Sequence, residues 1–95
     1  MYDIEAIRAD FPILSREVNG KPLVYLDNGA SAQKPQIVID AINRAYSHEY
    51  SNVHRGLHFL SNLATDQYEA VRGKITSFLN AGSEEDIIFN TGTTE

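Results

Sequence analysis

Two short apolar runs, Leu23-Val24-Tyr25-Leu26 and Ile87-Ile88-Phe89, stand far apart in the chain with two helical stretches between them. This order constrains the fold more than any other feature. Strands joined through helices pair by crossover connections, which points to a parallel-type α/β sheet. Two short strands do not make a stable sheet, so most of the sheet that would cover these helices is missing. The fold class expected is therefore α/β, as an incomplete large domain.

The remaining elements follow from local pattern. Ile4, Ile7 and then Phe11 make a short amphipathic turn over residues 3–9, which Pro12 ends because the residue before a proline leaves the helical region. Asn19-Gly20 suits a type I′ hairpin turn. Pro35 fits a helix's first turn, and Ile37, Val38, Ala41, Ile42, Ala45 and Tyr46 keep a 3.6-residue period to about Glu49. Residues 50–59 read as a loop. Leu60, Ala64, Tyr68, Val71, Ile75, Phe78 and Leu79 form the clearest stripe, with Gly82 expected as a left-handed C-terminal cap. Ser83-Glu84-Glu85-Asp86 resembles a capping box for one turn. The last ten residues read as a buried strand followed by a helix start, so the chain looks cut.

Composition matters mainly for what it excludes. Eight Lys and Arg against thirteen Asp and Glu give 8 − 13 = −5, the wrong sign for displacing counterions from nucleic acid. No cysteine is present, so this chain holds no disulfide, thiolate metal site or cysteine nucleophile. The start carries acids rather than a basic-then-apolar leader, and no apolar run approaches the roughly 20 residues that cross a bilayer. A soluble cytoplasmic protein is expected.

Three segments could carry chemistry. Asn90-Thr91-Gly92-Thr93-Thr94-Glu95, at the end of a strand and the start of a helix, would present backbone N–H groups and hydroxyls to an anion such as phosphate. The alternative is that Thr93 or Thr94 is simply an N-cap bound to nothing. Asp27-Asn28-Gly29-Ala30-Ser31 lies at a strand's carboxyl end, where ligands of open α/β sheets collect, or is an ordinary turn. His54-Arg55-Gly56 is a basic loop facing an anionic ligand or a subunit interface, or merely solvent. His48, His54 and His58 lack a completing carboxylate or thiolate, so no metal site is expected. Lys21, Lys34 and Lys74 lack the apolar setting that lowers a lysine's pKa for Schiff-base chemistry. Glu69 and Arg72 read as a surface pair of small worth, and Tyr68 as core or interface.

Taken together, three ordered motifs carry a resemblance. Tyr25-Leu26-Asp27-Asn28-Gly29-Ala30-Ser31-Ala32-Gln33-Lys34-Pro35, then Asn52-Val53-His54-Arg55-Gly56-Leu57-His58, then Phe89-Asn90-Thr91-Gly92-Thr93-Thr94-Glu95 resemble the amino-terminal part of SufS/CsdA-type (group II) cysteine desulfurases, within the class V aminotransferases. The opening Ile7-Arg8-Ala9-Asp10-Phe11-Pro12-Ile13-Leu14 is similar to that family's start, so the resemblance covers essentially the whole chain. It implies a fold-type I homodimer that uses pyridoxal 5′-phosphate to take sulfur from L-cysteine. The products are L-alanine and an enzyme persulfide, passed to an acceptor protein for iron–sulfur cluster assembly.

Carried onto this chain, the resemblance makes Thr93 and Thr94 holders of the cofactor phosphate and Gly29 and Ala30 the lining of the cysteine pocket. His54 and Arg55 would lie at the active-site entrance, at the dimer interface. The family often has alanine at the position of Gly29. Residues 1–20 would be an amino-terminal segment, and residues 21–95 the start of the cofactor-binding large domain. The family's cofactor-anchoring lysine, ring-stacking histidine, pyridinium-facing aspartate and persulfide-forming cysteine belong to later sequence. No catalytic residue is therefore expected here, and cofactor binding by the chain alone should be weak or absent. The competing readings are a selenocysteine lyase or another class V enzyme, and a free-standing small binding module.

Overall fold

Asn19 and Gly20 both take positive φ, 54° and 74°, and fold the chain into the hairpin expected of an Asn-Gly pair. Its strands are β1 (Glu17–Val18) and β2 (Lys21–Pro22), antiparallel, with Glu17 opposite Pro22 and Val18 opposite Lys21. The structure is a computed structural model that describes residues 1–53 and 58–94. It divides into two units, Met1–His48 and Glu49–Glu95.

In the first unit, α1 (Ile4–Ala9) begins at Asp3, whose carboxylate accepts from the Ala6 N–H at 3.1 Å. Glu5 in its first turn and Arg8 in its last complement the helix dipole. Phe11 then turns extended, as a residue before proline should, and Pro12–Ser15 closes a 3-10 turn. After the hairpin, Pro35 stands just outside α2 (Gln36–Arg44), which runs on through a π-helical turn, Ala45–Glu49, to the expected end. The Gln36 N–H donates to the Asp10 carbonyl at 2.7 Å, tying the start of α2 to the end of α1.

The second unit is built on α3 (Phe59–Leu79). Its N-cap is His58, whose Nδ1 accepts from the Ser61 N–H at 3.2 Å. Asn52 and Val53 lie against its first turns, because Ser61 Oγ donates to the Asn52 carbonyl at 3.1 Å and Thr65 Oγ1 to the Val53 carbonyl at 3.1 Å. Beyond α3, a 3-10 turn at Glu84–Asp86 is capped by Ser83, whose Oγ accepts from the Glu85 N–H at 3.2 Å.

Two expectations need correction. Leu23–Leu26 and Ile87–Phe89 are not strands: the hairpin is the one sheet among the described residues, and neither run pairs with it as a strand. The Leu23 N–H donates to the Arg16 carbonyl at 3.2 Å, but a strand needs such backbone partners along its whole length. The left-handed cap of α3 is Asn80 (φ 55°, ψ 42°) rather than Gly82. Asn80 N–H bonds the Ser77 carbonyl and Ala81 N–H the Thr76 carbonyl, a Schellman pair closing where the apolar stripe ends at Leu79. Thr93 and Thr94 sit in a turn, and the helix start expected there would close its first bond beyond the described residues.

The expected exposure of the apolar faces is present. Among the described residues no apolar side chain is buried; the two buried residues are Ser61 and Thr65. Ile37 on α2 is 78% exposed and Phe78 on α3 is 88% exposed. Burying such a side chain stabilises a fold by about 1.5–3 kcal/mol, and these residues forgo it.

Candidate cofactor and substrate loops

The loop after Leu26 is a turn held by its own polar groups. The Asp27 carbonyl accepts from both the Ala30 N–H (3.1 Å) and the Ser31 N–H (3.0 Å). Tyr25 donates its hydroxyl to the Ser31 carbonyl at 2.6 Å, and Asn28 Oδ1 accepts from the Gln33 N–H at 3.0 Å. Lys34 caps the Ala32 carbonyl through its ammonium group. Gly29 and Ala30 are thereby brought together at an exposed tip. The small residues leave room there, since a Cβ at Gly29 would meet no atom within 4 Å. The Ala30 and Ser31 N–H groups, however, are already spent on Asp27, so the loop offers space more than those donors. A groove of about 200 Å³ beside it is lined by Arg8, Phe11, Leu14, Tyr25, Asn28 and Gln33.

In the second unit, Asn90 Oδ1 accepts from the Gly92 N–H at 3.1 Å and turns the chain over itself. Gly92 has φ +132°, which favours glycine, and a Cβ there would again meet nothing within 4 Å. Thr93 and Thr94 follow directly, both exposed. Two adjacent hydroxyls beside a glycine backbone open to close approach are a donor set that fits a phosphate. His54 and Arg55 lie outside the described residues. Lys21, Lys34 and Lys74 are exposed. Among the described residues no group of three or more metal-ligating side chains is placed to hold a metal ion.

The segment leading into this turn is anchored by a cluster larger than the Glu69–Arg72 pair. Arg72 Nε does meet Glu69 Oε2 at 3.3 Å. Its Nη1 also donates to the Ile87 carbonyl, and its guanidinium carbon lies 5.0 Å from the Phe89 ring and 5.8 Å from the Tyr68 ring. The two rings meet edge to face, with centroids 5.1 Å apart. Nothing in the local sequence signals this, because Phe89 and Ile87 reach Arg72 only when residues 83–89 fold back on α3.

The sequence model of the family described as aminotransferase class-V matches residues 24–95, which is 72 of the 95 residues. This chain belongs to the class V aminotransferase family. Curated relatives of this class V chain include the cysteine desulfurase of Pectobacterium atrosepticum, 61% identical over 94 residues. Those of Serratia proteamaculans and Klebsiella pneumoniae subsp. pneumoniae are 60% and 58% identical. Each match covers 99% of this chain and 23% of the relative, so the chain spans less than a quarter of the length of these desulfurases. No described helix is long and apolar enough to cross a membrane.

Proposed function

We propose that this chain is the opening segment of a pyridoxal-phosphate-dependent cysteine desulfurase, supplying part of the cofactor and substrate sites but no catalytic group. The observation that carries this is the 57–61% identity to cysteine desulfurases along nearly the whole chain. Residues 1–20 form an amino-terminal segment and residues 21–95 the start of the cofactor-binding large domain.

Within that reading, Thr93 and Thr94 hold the cofactor phosphate through their hydroxyls, and Gly92 lets the backbone come close. When bound, pyridoxal phosphate supplies a ring that withdraws electrons from the substrate's carbon atoms. Gly29 and Ala30 leave space for a small amino acid, L-cysteine. His54 and Arg55 stand at the entrance, against a second copy of the enzyme. The sulfur is carried as a persulfide on a cysteine that this chain does not contain, and passes to an acceptor protein for iron–sulfur cluster assembly in the cytoplasm.

Two measurements test this. The coding DNA beyond the codon for Glu95 is expected to continue in frame into a lysine-bearing segment and a later cysteine loop. A stop codon there would make the enzyme reading one of ancestry. The purified 95-residue chain, given pyridoxal phosphate, L-cysteine and a thiol reductant, is expected to release no sulfide beyond that of the free cofactor. Sulfide release above that background would refute the assignment of all catalytic groups to other sequence.

A further inference from the structure

Residues 84–89 return along α3 and meet it at Tyr68, Arg72 and Gly73. At Gly73 a Cβ would stand 2.8 Å from Glu84 Oε1, so the end of the Glu84 side chain lies against this bare position of α3. At Arg72 the side chain, half-buried, reaches forward to the same segment. Its Nη1 holds the Ile87 carbonyl, and its planar face lies over Phe89, which in turn abuts Tyr68. Glu69 fixes the far edge of the guanidinium through Nε. The fork is thus spoken for in two directions, which a flexible ammonium cannot reproduce. Phe89 is followed at once by Asn90, whose side chain makes the turn at Gly92 that presents Thr93 and Thr94.

We propose that Arg72, with Tyr68 and Phe89, is a positioning residue for the phosphate-holding turn at Gly92-Thr93-Thr94. This rests on the reading of that turn as the cofactor-phosphate site. Without the anchor, Ile87–Phe89 is an unpaired extended run, and the turn after it has no fixed origin. A turn that is only fractionally in its binding shape loses affinity in proportion to that fraction. Arg72 does not itself touch the phosphate in this account; it acts through Phe89 and the Ile87 carbonyl.

The test is a titration of the 95-residue chain with inorganic phosphate, followed at the backbone amides of Gly92, Thr93 and Thr94 by NMR. The unaltered chain is expected to show weak, saturable shifts confined to these amides. Arg72→Ala is expected to weaken that response about tenfold while the α3 amides from Phe59 to Glu69 stay in place. Arg72→Lys keeps the charge and loses the planar fork, so it is expected to weaken the response by nearly as much. Phosphate binding by Arg72→Lys equal to that of the unaltered chain would reduce Arg72 to a distant charge and overturn the proposal. Equal binding by Arg72→Ala would overturn it outright. No response in the unaltered chain would leave nothing for Arg72 to position and so overturn the proposal, while the cofactor reading stands or falls on the in-frame continuation. Phe89→Leu guards against misfolding at position 72: it leaves the Arg72–Ile87 bond and removes the stacked ring, and an unchanged response there also counts against the cluster.

Discussion

At the residue scale, the two loop glycines behave oppositely. Gly29 has no positive φ and open space where a Cβ would go, so Gly29→Ala is expected to leave the fold unchanged, with amide spectra outside the loop superimposable on those of the parent. Gly92, at φ +132°, is in a region that costs any other residue on the order of 1–3 kcal/mol. Gly92→Ala is therefore expected to open the Asn90 turn, seen as faster hydrogen exchange at residue 92. Ser61 is of another kind: it is fully buried, and its hydroxyl bonds Asn52. Ser61→Ala removes that hydrogen bond, a loss of about 0.5–1.5 kcal/mol, expected as reduced exchange protection over the first turns of α3.

The behaviour of whole elements shows what sequence pattern could and could not convey. The Asn19-Gly20 hairpin was legible because turn chemistry is decided by the two residues that make the turn. Helices α2 and α3 were legible because a helix satisfies its own backbone. Leu23–Leu26 and Ile87–Phe89 carry strand composition, but a strand is a statement about neighbours, and beyond the bond from Leu23 N–H to Arg16 the described residues build no ladder on them. The left-handed cap of α3 falls at Asn80 rather than Gly82, because asparagine also tolerates that conformation and the apolar stripe ends at Leu79. Of the candidate loops, pattern gave the residues and not their bonds: the spent N–H groups of Ala30 and Ser31 and the Arg72 anchor arise from contacts across the sequence. At Asn80, replacement by glycine should leave the helical circular dichroism intact or slightly raised. Asn80→Val, forced into the same left-handed turn, should fray the last turn of α3 at a cost of about 1–2 kcal/mol.

The whole molecule follows from the absence of any buried apolar side chain among the described residues. Cooperative unfolding requires a shared core whose loss is all-or-none. Heating is therefore expected to give a broad, shallow loss of helical signal, with binding of a hydrophobic dye already at low temperature; a sharp transition in a monomeric sample would contradict this. The run Leu23–Leu26 adds a hazard of its own. Leu26 is 92% exposed and Val24 76%, with half-buried Leu23 and Tyr25 alternating between them. Such a ribbon is apolar on both sides, and it would seed stacking with copies of itself in a crowded cell. Pro22 before it and Asp27 after it are the residues that break that stacking at either end. They work as gatekeepers, guarding a newly made chain while that ribbon stands open.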